Sequence, residues 1–131
     1  MEKCLSSIAR ISGMDNKEIV DLHFALQKEI QKQHHAKNIE NTITLCEKAV
    51  AISSLVMNAM KKKHRAECDE YARVTGRLSP NSQFYYPNHY ASNLLCKHLR
   101  SQQKSNMADE IEDKMLKEGW NSGRYADLLD L

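Results

Sequence analysis

Apolar side chains recur three and four positions apart along most of this 131-residue chain. That period places them on one face of an α-helix. Leu5, Ile8 and Ile11 predict a short helix over residues 2–12, with Gly13 as its stop. In "DNKE", Asp15 and Glu18 have the spacing of a capping box, in which each side chain satisfies the other's backbone amide. Ile19, Leu22, Leu26 and Ile30 then line one stripe, predicting a helix to about Ala36 whose last, mostly polar part projects into water.

Asn38 is the expected cap of a third helix. Ile39, Ile43, Cys46 and Val50, with Leu45, Ala49, Ile52, Val56 and Met60 on the adjoining row, form a broad apolar face. This is the expected central helix. Its pattern runs on through "KKKHRAECDEYARV" to Thr75, with Gly76 ending it. So long a helix is unusual in a small domain, so it either protrudes or breaks near the lysine run. "GRLSPNSQFYYPNHY" is punctuated by Pro80, Asn81 and Pro87 and is the one clear loop. Pro87 suits the first turn of the next helix, which runs to about Gln103 on Ala91, Leu94, Leu95 and Leu99. Ser105 or Asn106 is expected to cap a helix with Ala108, Ile111 and Met115 inward and Gly119 as its left-handed end. Trp120 is expected to plug that helix pair, and "SGRYADLLDL" to make one or two turns packing Tyr125, Leu128 and Leu129.

Two prolines and four glycines leave little room for turns. The fold class is therefore all-α: four to five helices packed as antiparallel hairpins in a single domain over residues 1–131, tetratricopeptide-like or an irregular helical bundle. The stretch "HLRSQQKSNMADEIEDKMLKEGW" with the helix before it resembles a tetratricopeptide-repeat hairpin, two antiparallel helices over about 34 residues. Setting Ala108 at the small position of the second helix puts Leu95, Cys96 and Leu99 at the leucine, small and aromatic positions of the first, and Ile111 and Met115 inward. Glu112 stands where an aromatic is usual, Met115 where alanine is usual, and no proline closes the unit. "LHFALQKEIQKQHHAKNIENTITLCEKAVAIS" has the same outline, though its spacing fits only with a gap. The resemblance implies a scaffold that holds a peptide or another protein, with no catalytic residues.

Composition adds that the apolar share is 41% and the charged share 27%, as in a globular chain. The most apolar stretch, "AVAISSLVMNAM", is too short for a membrane span, and "MEKCLSSIARISG" lacks the apolar block of a secretion signal. A cytoplasmic protein with no membrane partner is expected. Cys4, Cys46, Cys68 and Cys96 are widely spaced and expected to be free thiols, Cys46 and Cys96 packed as small hydrophobes.

Charge is unevenly distributed. Residues 61–104 carry nine basic and three acidic side chains, whereas residues 107–131 carry three basic and seven acidic. Such a contrast serves a partner surface or lets the two regions face each other.

The chemistry-bearing residue types do not assemble into a reaction motif. His64 and Cys68, four apart on a helix, reach one point, yet two ligands are not a metal site. Cys96 and His98 point to different faces, and His34 and His35 likewise. Asp109, Glu110, Glu112 and Asp113 sit where a helix N-terminus favours negative charge. No enzyme, cofactor or metal is expected.

The sharpest electrostatic feature is "KKKHR". Lys61, Lys62, Lys63, Arg65, Tyr85, Tyr86, Arg100 and Lys104 are the expected partner-binding residues. The expected function is a non-catalytic protein–protein interaction module: an adaptor, or a phage or mobile-element inhibitor that occupies a host protein's surface. The alternative is a nucleic-acid-binding accessory protein using the basic 61–104 region, with loop aromatics stacking bases. A homodimer is also open, because the third helix's apolar face is broad.

Overall fold

Two helical hairpins and one sharp corner organise the chain. The computed structural model describes residues 1–127. Along them run α1 (Glu2–Ala9), a 3₁₀ turn (Ile11–Gly13), α2 (Asn16–His35), α3 (Ile39–Ala51), α4 (Ser53–Thr75), β1 (Gln83–Tyr85), α5 (Tyr90–Ser101), α6 (Ser105–Glu118) and β2 (Tyr125–Asp127). The all-α class holds, with six helices rather than four or five. The extra one arises because the long third helix is two.

The capping box forms: the Glu18 amide donates to Asp15 Oδ1 at 2.8 Å, and the Asp15 amide to Glu18 Oε1 at 3.3 Å. α2 buries Leu22, Leu26 and Ile30, as its stripe predicts, and leaves Lys32, His34 and His35 in water. It also buries a second row, Val20 and His23, because α2 packs against α3 and α4 together.

The break in the long helix lies at Ile52, well before the lysine run, and turns the axis by 56°. Ser53 Oγ donates to the Val50 carbonyl at 2.8 Å, taking an acceptor that a continuous helix would use. Lys114 of α6 then donates to the same carbonyl at 3.0 Å and to Ser53 Oγ at 2.7 Å. The corner is thus satisfied from across the fold. Beyond it, only Cys68 is buried between Lys61 and Thr75, so the far half of α4 does protrude. On α3 the broad face is only partly covered: Leu45, Cys46 and Ala49 are buried, but Ile39 is 56% exposed.

α5 begins later than Pro87. Its cap is His89, whose Nδ1 accepts from the Ser92 amide at 3.0 Å. Lys104, rather than Ser105 or Asn106, occupies the cap position of α6 and supplies no side-chain hydrogen bond. α5 and α6 form an antiparallel hairpin in which Ala108 is fully buried, Met115 nearly so, and Ile111 partly covered. Gly119 ends it in the left-handed region at φ 102°. A Cβ there would lie 2.4 Å from Tyr86 Cδ1, so glycine is required by space as well as by φ.

The chain then departs from the expected helical turns. Residues 125–127 pair antiparallel with β1 inside the loop, Phe84 opposite Ala126. The Tyr86 amide donates to the Arg124 carbonyl and the Asn121 amide to the Pro87 carbonyl, both at 3.0 Å. Tyr125 is exposed, and Leu128 and Leu129 lie outside the described residues. Trp120 is fully buried as part of the core, its ring against His23 of α2 and His89 at the α5 cap, so the plug expectation holds.

Candidate interaction surface

The strand register sorts the tyrosines. Side chains alternate along a strand, so Phe84 and Tyr86 turn inward and Tyr85 outward. Tyr86 is buried beneath Lys61 Nζ and the Arg124 guanidinium, each 4.9 Å from its ring centroid. It is therefore a core ring that orders two cations, not a stacking platform. Tyr85 is 46% exposed and pairs with Tyr125 across the ribbon, ring centroids 5.0 Å apart.

Tyr85 also lines an open cleft of about 260 Å³ with Val20, Phe24, Met60, Phe84 and Pro87. Phe24 is 49% exposed. Lys63, His64 and Glu67 of α4 form the cleft's polar edge, with Lys63 paired to Glu67 at 3.2 Å. Lys61 is half-covered by its contact with Tyr86, and Lys62 and Arg65 are exposed on the same turns of α4. Six of the eight expected residues thus gather at the α4–β1 junction.

Arg100 and Lys104 do not join them. Arg100 lies ten residues, roughly 15 Å, along α5 from Tyr90. It donates to Asp109 Oδ1 and Glu112 Oε1, each at 2.8 Å, and these two acceptors hold its guanidinium pKa above the ordinary value. The acidic cluster is therefore in part the other half of an α5–α6 staple, and Arg100 serves the hairpin. Lys104 is exposed where α6 begins.

His64 and Cys68 do meet: Nε2 and Sγ are 3.7 Å apart, and Sγ contacts the Asn81 carbonyl at 3.5 Å. Among the described residues no three His, Cys, Asp or Glu side chains converge as metal ligands. The cysteines described are free. Burial pushes the Cys46 thiol up to about 12, so it packs as an apolar group.

Two features escape the sequence reading. Phe24 stands off the α2 stripe, and an aromatic on a helix's outer face was the available signal. The second is a buried ring cluster. His23 stacks on Trp120 with centroids 5.5 Å apart, and His89 meets Trp120 at 4.7 Å and His23 at 5.8 Å. His89 Nδ1 accepts a hydrogen bond, so the neutral ring carries its proton on Nε2, which has no hydrogen-bond partner among the described residues. Desolvation lowers His23 to about 4, and His89 to about 3 with further repulsion from His23 and Lys114. Trp120 Nε1 donates to Glu118 at 3.2 Å, and Glu118 also takes Lys114. This cluster sits inside the molecule and holds together α2, the α5 cap and the chain after α6.

Comparison with protein-family models, with curated proteins and with solved structures finds no match. Among the described residues no single helix is long and apolar enough to cross a membrane.

Proposed function

We propose that this chain is a non-catalytic protein-binding module, an adaptor or an inhibitor that occupies a partner's surface, and that it meets an acidic protein surface with its α2–α4–β1 face. The observation that carries this is the pairing of two half-exposed aromatics, Phe24 and Tyr85, in one cleft whose polar edge is Lys63, His64 and Glu67, on the stretch of α4 that also exposes Lys62 and Arg65. Aromatic anchors within a charged rim are the usual make-up of an interface hot spot, and the basic rim steers an acidic partner. The tetratricopeptide-like character of the α5–α6 hairpin belongs to the same proposal: the close approach at fully buried Ala108 supports it.

The test is photo-crosslinking in the native host from position 85, with Leu116, exposed on another helix, as the control position. A discrete protein adduct at 85, absent at 116 and lost in Phe24→Ala, is the expected result. Equal adducts at both positions overturn the proposal. Nucleic acid is the second reading, favoured by the Lys61–Lys63 run on α4, of which Lys63 shares a cleft with Tyr85, itself paired with Tyr125. Salt-steep retention on a polyanion column, abolished by changing the three lysines to glutamine, would establish it in place of the first.

A further inference from the structure

A second surface, on the opposite hairpin, points to a different occupant. α3 and α6 each pack along α5 but are not packed along each other. They leave a trough over α5 of about 410 Å³. Its floor is Leu95 and Leu99. One wall is Ile43 and Val50 of α3, the other Met107 and Ile111 of α6. Met107 is 51% exposed, and exposed Ile39, one turn before Ile43, extends the α3 wall.

The trough has a defined length. At one end lies Val50, whose carbonyl accepts from Lys114 of α6 at 3.0 Å. Lys104 lies at the other, ten residues back along α6, or roughly 15 Å. That span matches about three turns of helix.

The walls differ in charge. Glu47 lines the α3 side and Lys104 the α6 side. Both are exposed, and neither has an ion pair among the described residues. An aliphatic acid would answer only one of these charges. His98 and Gln102 of α5 are the remaining polar side chains of the lining, too few to partner the backbone amides of an extended peptide laid along the trough. A helix satisfies its own backbone and presents an apolar stripe with two polar flanks.

We infer that the α3–α5–α6 trough binds one amphipathic α-helix of a protein partner, about three turns long, with a basic residue on the flank facing Glu47 and an acidic residue on the flank facing Lys104. Its apolar residues at i, i+3 or i+4, and i+7 enter between Ile43, Met107 and Ile111. The trough shares no residue with the Phe24–Tyr85 cleft, so the two proposals stand or fall separately.

The experiment uses the full chain and three fluorescein-labelled, helix-stapled 14-residue peptides with one leucine stripe. One peptide has lysine on one flank and glutamate on the other; the second has glutamate on both; the third has lysine on both. Reversing a helix end for end exchanges its flanks, so the mixed peptide fits in one direction or the other. Anisotropy is expected to rank the mixed peptide tightest, about fivefold over each uniform one, as exposed ion pairs of this kind allow. Glu47→Lys shifts the preference to the glutamate peptide and Lys104→Glu to the lysine peptide. Both positions are exposed, so the variants fold, which circular dichroism checks. Met107→Glu weakens all three at least tenfold, and Phe24→Ala leaves them unchanged. The inference is overturned if none binds at 1 mM, if the rank order ignores Glu47→Lys, or if Met107→Glu changes nothing. It is equally overturned if sedimentation finds a dimer that Met107→Glu dissociates, since a second copy would then own the trough.

Discussion

Acid should loosen this protein well before its carboxylates begin to protonate. Outside the fold a histidine titrates near 6.5, but burial holds His23 down to about 4 and His89 down to about 3. Above pH 6.5 both rings are neutral in the folded and unfolded chain, and the full stability is present. As pH falls below 6.5, each histidine gains a proton in the unfolded chain but not in the folded one. Stability then declines by about 1.4 kcal/mol per pH unit for each ring until the folded values are reached. At pH 5 the loss is about 2 kcal/mol per histidine, about 4 kcal/mol for the pair. That is a large share of the roughly 5–15 kcal/mol typical of a domain.

The surroundings sharpen this effect. Lys114 is the cation that adds repulsion at His89, while Glu118, the nearby acid, is already engaged by Lys114 and the Trp120 indole. The lowered carboxyl groups, Glu29 beside Gln33 and the N-terminus and Glu70 beside Arg73, lose their contributions only below the ordinary 4.5. The window from 6.5 to 5 therefore belongs to the histidines. Urea unfolding followed by circular dichroism at pH 7.5, 6 and 5 measures it. His23→Phe keeps the stacking on Trp120 and should halve the loss. His89→Asn keeps an acceptor at the α5 cap and should remove most of the other half. A wild-type chain equally stable at pH 7.5 and 5, or a double variant with an undiminished slope, would refute the reasoning.

Three further outcomes follow from particular contacts. Gly119→Ala combines a positive φ with a Cβ 2.4 Å from Tyr86, and should cost about 2–4 kcal/mol in urea melts; a double-mutant cycle with Tyr86→Ala should show strong coupling between the two. Lys114→Met should cost about 1–2 kcal/mol and speed amide exchange at Ile52 and Ser53, because the corner loses its cross-fold donor. Arg100→Ala, by contrast, removes a solvent-screened staple and should lower the urea midpoint far less than the other two changes, by an amount that shrinks further in high salt.

Much of the helical framework was legible because its causes are local. The Asp15–Glu18 box, the Leu22–Leu26–Ile30 stripe, buried Ala108 and left-handed Gly119 each depend on residues within a turn or two. The interaction surface was legible only in part. The lysine run marked its electrostatics, but Tyr85 and Tyr86 are the same residue type side by side. Only pairing with β2, about forty residues away, turns one out and the other in. Arg100 looked like a free cation until folding brought Asp109 and Glu112 to it.

The sequence by itself determined that residues 2–118 are mainly helical and which faces of those helices are apolar, since periodicity and capping act over a few residues. The tertiary structure alone decided where the long helix turns, because the Ile52 corner is completed by Lys114, sixty-four residues beyond the Val50 carbonyl it meets. It alone decided that two histidines would be shut in with Trp120, and that α3 and α6 would stand apart over α5. Those outcomes rest on desolvation and on contacts between distant segments, which no local spacing encodes.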